Sequence, residues 1–153
     1  MYKRCNCGHY MDLTLRTVVH ARSVHIHRVP VYTCTCCERS ELLSFVKKDI
    51  AELIRNRMSL IAANPHVTQH GPLVVAFDEV HELSSVLAEC VEVEGCDDML
   101  PVFERRVDER VNQLLDLYLI AKTCNDALWM SDLQRRLKQV TGFSLQPYRV
   151  KIS

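Results

Sequence analysis

The residues with the plainest chemistry in this chain are its cysteines. Five of the eight fall in two tight groups, Cys5 and Cys7, then Cys34, Cys36 and Cys37, while Cys90, Cys96 and Cys124 are scattered. In a reducing compartment, closely paired thiols more often bind metal than form disulfides. Zinc takes four ligands in a tetrahedron, and two short Cys pairs brought together supply them. Cys5-x-Cys7 is one such pair and Cys34-x-x-Cys37 is the other. The expectation is a structural Zn2+ site with Cys5, Cys7, Cys34 and Cys37 as metal ligands. Cys36 offers a competing thiol, and His9 is a substitute ligand should one cysteine point away. Free cysteine also packs as a small hydrophobe. That reading suits Cys90 and Cys124 better than five cysteines in polar segments.

Such a site needs an element that returns the chain to its start. Leu13, Leu15, Thr17 and Val19 alternate with Asp12, Thr14, Arg16 and Val18, and a second β-branched run extends from Val24 to Tyr32. Period two with β-branched enrichment predicts two strands. The turn between them, His20-Ala21-Arg22-Ser23, lacks Asn-Gly chemistry, which leaves its length open. An antiparallel hairpin sets Cys34 and Cys37 beside Cys5 and Cys7. His25 and His27 alternate along the second strand and so share a face.

The run Cys7-Gly8, a β-rich segment of about 25 residues, then Val29-Pro30-Val31-Tyr32-Thr33-Cys34-x-x-Cys37 resembles the YgiT-type zinc finger. That family shows Cys-Pro-x-Cys-Gly, a hairpin, a Val/Ile-Pro-Ala/Val lead-in and Cys-x-x-Cys-Gly-Glu. The resemblance covers residues 5–40 and implies that Cys5, Cys7, Cys34 and Cys37 are zinc ligands. Two positions depart from the family pattern: Arg4 stands where the first cysteine would be, and Glu38 stands where the family has Gly. Some members are antitoxins whose zinc domain contacts a toxin and whose helix-turn-helix domain binds DNA. No helix-turn-helix signature is visible here.

The remainder reads as helical. Leu42, Leu43, Val46, Ile50, Leu53, Ile54 and Ile61 recur at helical spacing behind Ser40 as N-cap, and Asn64-Pro65 stops the run. Residues 63–72, with two prolines and a glycine, read as a linker, and His66 and His70 as loop residues within it. Residues 73–77 fit either a strand or the start of a helix. Asp78, Glu79, His81 and Glu82 read as a charged helix face in water rather than as a divalent-ion site. An acidic loop over 92–100 precedes a helix opened by Pro101. A second helix, capped by Asn125 or Asp126, ends at Gly142, giving an antiparallel helical hairpin over about 101–141. The tail from Phe143 reads as irregular. The expected architecture is α+β: a zinc ribbon over 1–39, a connecting helix over 40–62, the linker, and a helical domain over 73–153.

Composition bounds the function. The 153 residues carry 19 basic and 19 acidic side chains, which argues against a surface built throughout for nucleic acid. Residues 1–70 hold 10 Lys/Arg against 5 Asp/Glu, residues 71–132 hold 4 against 14, and the remainder 5 against none. Four glycines leave little for a phosphate-cradling loop, and no Gly-x-Ser-x-Gly or His-Glu-x-x-His occurs. No stretch approaches a membrane span and no apolar leader follows Met1, so a cytoplasmic protein is expected. The sequence therefore points to a non-enzymatic, zinc-binding regulator or adaptor working through an unidentified protein partner, and to a homodimer completing the helical core. An antitoxin-like nucleic-acid-binding regulator is the alternative, and a metalloenzyme with an open zinc position, using His9 or water, is the second alternative.

Overall fold

The computed structural model describes residues 3–94 and 99–141. The chain forms two compact units, one ending at Val80 and the other beginning at His81.

The first unit is built on a five-stranded sheet: β1 (Lys3–Arg4), β2 (Tyr10–His20), β3 (Val24–Cys34), β4 (Ser40–Leu42) and β5 (Leu73–Ala76). β1 to β4 pair antiparallel in chain order, and β5 pairs parallel with β3. The hairpin of β2 and β3 is its frame. Met11 lies opposite Cys34, Leu13 opposite Tyr32, and Leu15 opposite Pro30. Met11, Leu13, Tyr32 and Cys34 are buried. The hairpin turn has Ala21 and Arg22 at positive φ, and the Ser23 amide donates to the His20 carbonyl at 3.0 Å. This is the twist-matched hairpin turn, made without the glycine or asparagine that usually signals it.

A bulge interrupts the register between Arg16 and Val18. His27 and Arg28 together oppose Thr17, Arg28 takes a φ of 61°, and Thr17 Oγ1 lies 2.8 Å from His27 Nδ1. The extra residue re-phases β3. Val24 and Ile26 are buried before it, and Val29 and Val31 after it. Arg28 Nε donates to Asp78 Oδ2 at 2.7 Å, which ties the bulge to the short helix α2 (Phe77–Val80).

The helix α1 runs Ser44–Ala63 and stops at Asn64, whose amide still donates to Leu60. Ser40 is not its N-cap. Ser40–Leu42 extends the sheet as β4, and Leu43, in an extended conformation, precedes the helix. Pairing with Val31, Tyr32 and Thr33 outweighs the capping preference of one serine. The expected boundary at 63–72 is also displaced. That segment forms one 3-10 turn, Pro65–Thr68, and Leu73–Ala76 then joins the sheet beside Val24–His27. Strand, not helix, is therefore the state of residues 73–76.

The second unit comprises α3 (Glu82–Glu94), α4 (Met99–Thr123) and α5 (Ala127–Thr141). Leu83, Val86, Leu87 and Cys90 of α3 pack in a core with Phe103 and Leu114 of α4 and Leu133 and Val140 of α5, all buried. Pro101 is the third residue of α4 rather than its first. Proline is tolerated there because first-turn amides have no intrahelical acceptor. The Trp129 amide donates to Asp126 Oδ1 at 3.0 Å, so Asp126 caps α5 as expected. The expected acidic loop over 92–100 is shorter at both ends, since residues 92–94 belong to α3 and 99–100 to α4, and its residues 95–98, Gly142 and the tail lie outside the described residues. Cys124 is exposed, in contrast to the packing role expected of it, whereas Cys90 has that role.

The acidic motif expected on a solvated face is instead partly interior. Glu82 accepts from Arg110 Nη1 at 2.7 Å and from Arg136 Nε, and its side chain is 11% exposed. Its backbone amide donates to Gln139 Oε1 at 3.0 Å. One residue at the start of α3 thus bonds to both α4 and α5. His81, buried, accepts the Ser84 amide on Nδ1 at 3.2 Å and caps α3. Removing one partner from a buried ionic cluster leaves the others desolvated without compensation. Glu82→Ala should cost about 2–4 kcal/mol, measured by chemical denaturation of the helical unit.

Candidate metal centre

Two tight turns flank the hairpin and carry the cysteines. In the first, Cys5-Asn6-Cys7-Gly8-His9, the Cys5 amide donates to the His9 carbonyl at 2.8 Å and the Gly8 amide to the Cys5 carbonyl at 3.0 Å. In the second, Cys34 to Arg39, the Cys34 amide donates to the Arg39 carbonyl at 2.8 Å. The first turn closes over one residue fewer, matching Cys-x-Cys against Cys-x-x-Cys. In both, the residue after the second cysteine of the pair is left-handed: Gly8 has φ 95° and Glu38 has φ 61°. The departure at Glu38 is therefore a side chain placed in a conformation that glycine adopts without cost.

The hairpin register brings the turns together. The sulfurs of Cys5, Cys7, Cys34 and Cys37 all lie within 4.8 Å of one another. Cys5 Sγ and Cys37 Sγ are 3.5 Å apart, as are Cys7 Sγ and Cys34 Sγ. A tetrahedron of sulfurs at zinc–thiolate bond length has edges of about 3.8 Å. The four donors thus stand near the corners of a metal-sized shell. Cys5 and Cys34 are buried and Cys7 and Cys37 exposed, so the site lies at the end of the sheet with one side toward solvent.

The local electrostatics pull the thiols in opposite directions. Backbone amides of Cys37 and Cys36 are directed at Cys34 and lower its thiol from the ordinary 9.0 to about 6. The His9 amide favours the Cys7 thiolate in the same way, but the neighbouring Cys34, burial and the other two thiols outweigh it and push Cys7 up to about 12. For Cys37 the Arg39 amide likewise lowers the value, and Cys5 and Cys34 raise it further than that. Each of these opposing influences traces to amides aimed at sulfur and to sulfurs crowded against each other. A cation among them would remove the second while keeping the first.

Sequence reasoning located all four cysteines. Cys36 does not join them. It lies instead with Cys7 and His9 in a second, exposed group that shares Cys7 with the first. His25 and His27 face each other edge to face at 6.4 Å, and His66 and His70 lie in and after the 3-10 turn. Neither pair belongs to a metal-sized donor group among the described residues. The chain matches no family model, no curated protein and no solved structure.

Two outcomes follow from this geometry. Glu38→Gly should stabilise the metal-loaded β-unit by about 1 kcal/mol, and Gly8→Ala, which meets no atom within 4 Å, should destabilise it by about as much through backbone strain alone. Thermal melts of the two variants check this. In metal-free protein whose circular dichroism still shows the β-unit folded, ultraviolet thiolate absorbance should show one thiolate step near pH 6, absent in Cys34→Ser. Because the folded value lies below the ordinary 9.0, the thiolate's contribution to stability is complete above pH 9.0. It is lost as pH falls through about 6.

Proposed function

We propose that this chain is a zinc-binding, non-enzymatic regulatory or adaptor protein whose β-unit is held by Zn2+ at Cys5, Cys7, Cys34 and Cys37. The observation that carries the reading is the convergence of those four sulfurs within 4.8 Å. All-thiolate tetrahedral sets select zinc or iron among common metals, and closed four-sulfur shells are the form of structural zinc. The two amide-lined turns joined by a hairpin are consistent with the resemblance to the YgiT-type zinc finger.

A role through protein contacts is supported by the surfaces of both units. A groove of about 820 Å³ beside Cys34 is lined by Asp12, Arg16 and Glu41 together with Val18, Val31 and Leu42, an open surface of mixed polar and apolar character. In the helical unit, Leu115, Leu119 and Leu128 are exposed, Leu128 to 86%. Leu115 and Leu119, four residues apart on α4, share one face, and an exposed apolar face of this kind is a feature of proteins that engage other proteins. Among the described residues, no helix is long and apolar enough to cross a membrane.

The experiment is chelation followed by hydrogen exchange along the chain. Metal removal, or Cys34→Ser, should accelerate exchange by at least about 100-fold in residues 3–80. Protection in residues 82–141 should stay unchanged. Unchanged exchange in the β-unit overturns the structural-zinc reading. Duplex DNA binding that weakens steeply with salt would replace the adaptor reading with a nucleic-acid one.

A further inference from the structure

The turns carry donors that the four-sulfur set does not use. Cys7, His9 and Cys36 each place one ligand atom within 4.8 Å of the other two, and all three are exposed. Cys7 Sγ and His9 Nδ1 are 3.6 Å apart. His9 comes from the first turn and Cys36 from the second, so the group spans both from outside. We propose a second metal site at Cys7, His9 and Cys36, with the Cys7 thiolate bridging two divalent cations. The proposal rests on the reading of the four cysteines as a metal centre.

Three physical points support it. A thiolate sulfur keeps lone pairs after bonding one cation, and among the four cysteines Cys7 is an exposed one beside a free imidazole and a free thiol. Four thiolates outweigh the charge of one divalent cation. Adding a cation, with the Cys36 thiol releasing its proton to solvent as it binds, leaves five thiolates against two divalent ions and a smaller excess of negative charge. The donor set, two sulfurs and one imidazole nitrogen, is of the type that zinc accepts. It also fills only three positions, so the second ion keeps one position toward solvent. That position can be taken by water or by a donor from a binding partner. Cys36 and His9 are therefore not spares for the first shell, because the four cysteines already complete it without them.

The test is metal stoichiometry on the full chain, purified without a histidine tag and titrated with Co2+ and then Zn2+ under reducing conditions. Native mass spectrometry and thiolate-to-cobalt charge-transfer absorbance read the result. Two equivalents are expected for the parent chain, the second at least about 10-fold weaker, and one each for Cys36→Ser and His9→Ala. Both residues are exposed, so these variants keep the fold, which circular dichroism verifies. One equivalent in the parent, retained in both variants, overturns the second site and leaves the four-cysteine centre standing. One equivalent that is lost in Cys36→Ser also overturns it, by placing Cys36 in a single shell. No bound metal at all defeats the four-cysteine reading on which the proposal rests.

Discussion

Four thiols held within a few ångströms of one another cannot all ionise unless a positive charge stands among them. That constraint organises the whole β-unit. Turn amides directed at Cys34, Cys7 and Cys37 favour thiolates, and the crowding of those thiols opposes them. The hairpin is the device that sets the contest up. Its register places Cys34 beside Met11, which sets the two cysteine turns side by side at the open end of the hairpin. A one-residue slip would send Met11, Leu13 and Tyr32 from the buried face to the other one. The convergence of the thiols and core burial therefore depend on the same register.

The helical unit solves a related problem with different groups. Glu82 gathers Arg110 and Arg136, from two other helices, around a carboxylate that is mostly withdrawn from water. Here the opposite charges are all supplied by the chain. The contrast is instructive: carboxylate and guanidinium complete one another, whereas clustered thiolates need a partner from solution.

The site was far more legible in the sequence than the arrangement around it. Cysteine spacing is a local property, and alternation along Asp12–Val19 is too, so the four clustered cysteines and the hairpin between them follow from short windows. The turn at His20–Ser23 was legible in place but not in length, because Ala21 and Arg22 lack the usual left-handed preference. β5 stayed open between strand and helix for a different reason. Leu73-Val74-Val75-Ala76 is an apolar run without a period of its own, and only its pairing with Val24–His27, far off in the chain, makes it a strand. The Glu82 cluster is hidden likewise, since Arg110 and Arg136 are distant in sequence and carry no signal of what they face. The left-handed Glu38 sits in the family's glycine position, a sign that was available in the residues but acquires meaning only with the backbone angle.

The late arrival of β5 also bears on how the chain is born. Both cysteine turns and the hairpin between them are complete once Arg39 has left the ribosome, while the strand that finishes the sheet follows after the whole of α1. Synthesis delivers the thiol cluster first and the strand that pairs with the turn end of β3 last. If the four thiols take up an ion in that interval, while one sheet edge is unfilled, the ion would fix the hairpin register before the distant strand must find it. Metal supply would then act on the yield of folded protein during translation, as well as on the finished molecule.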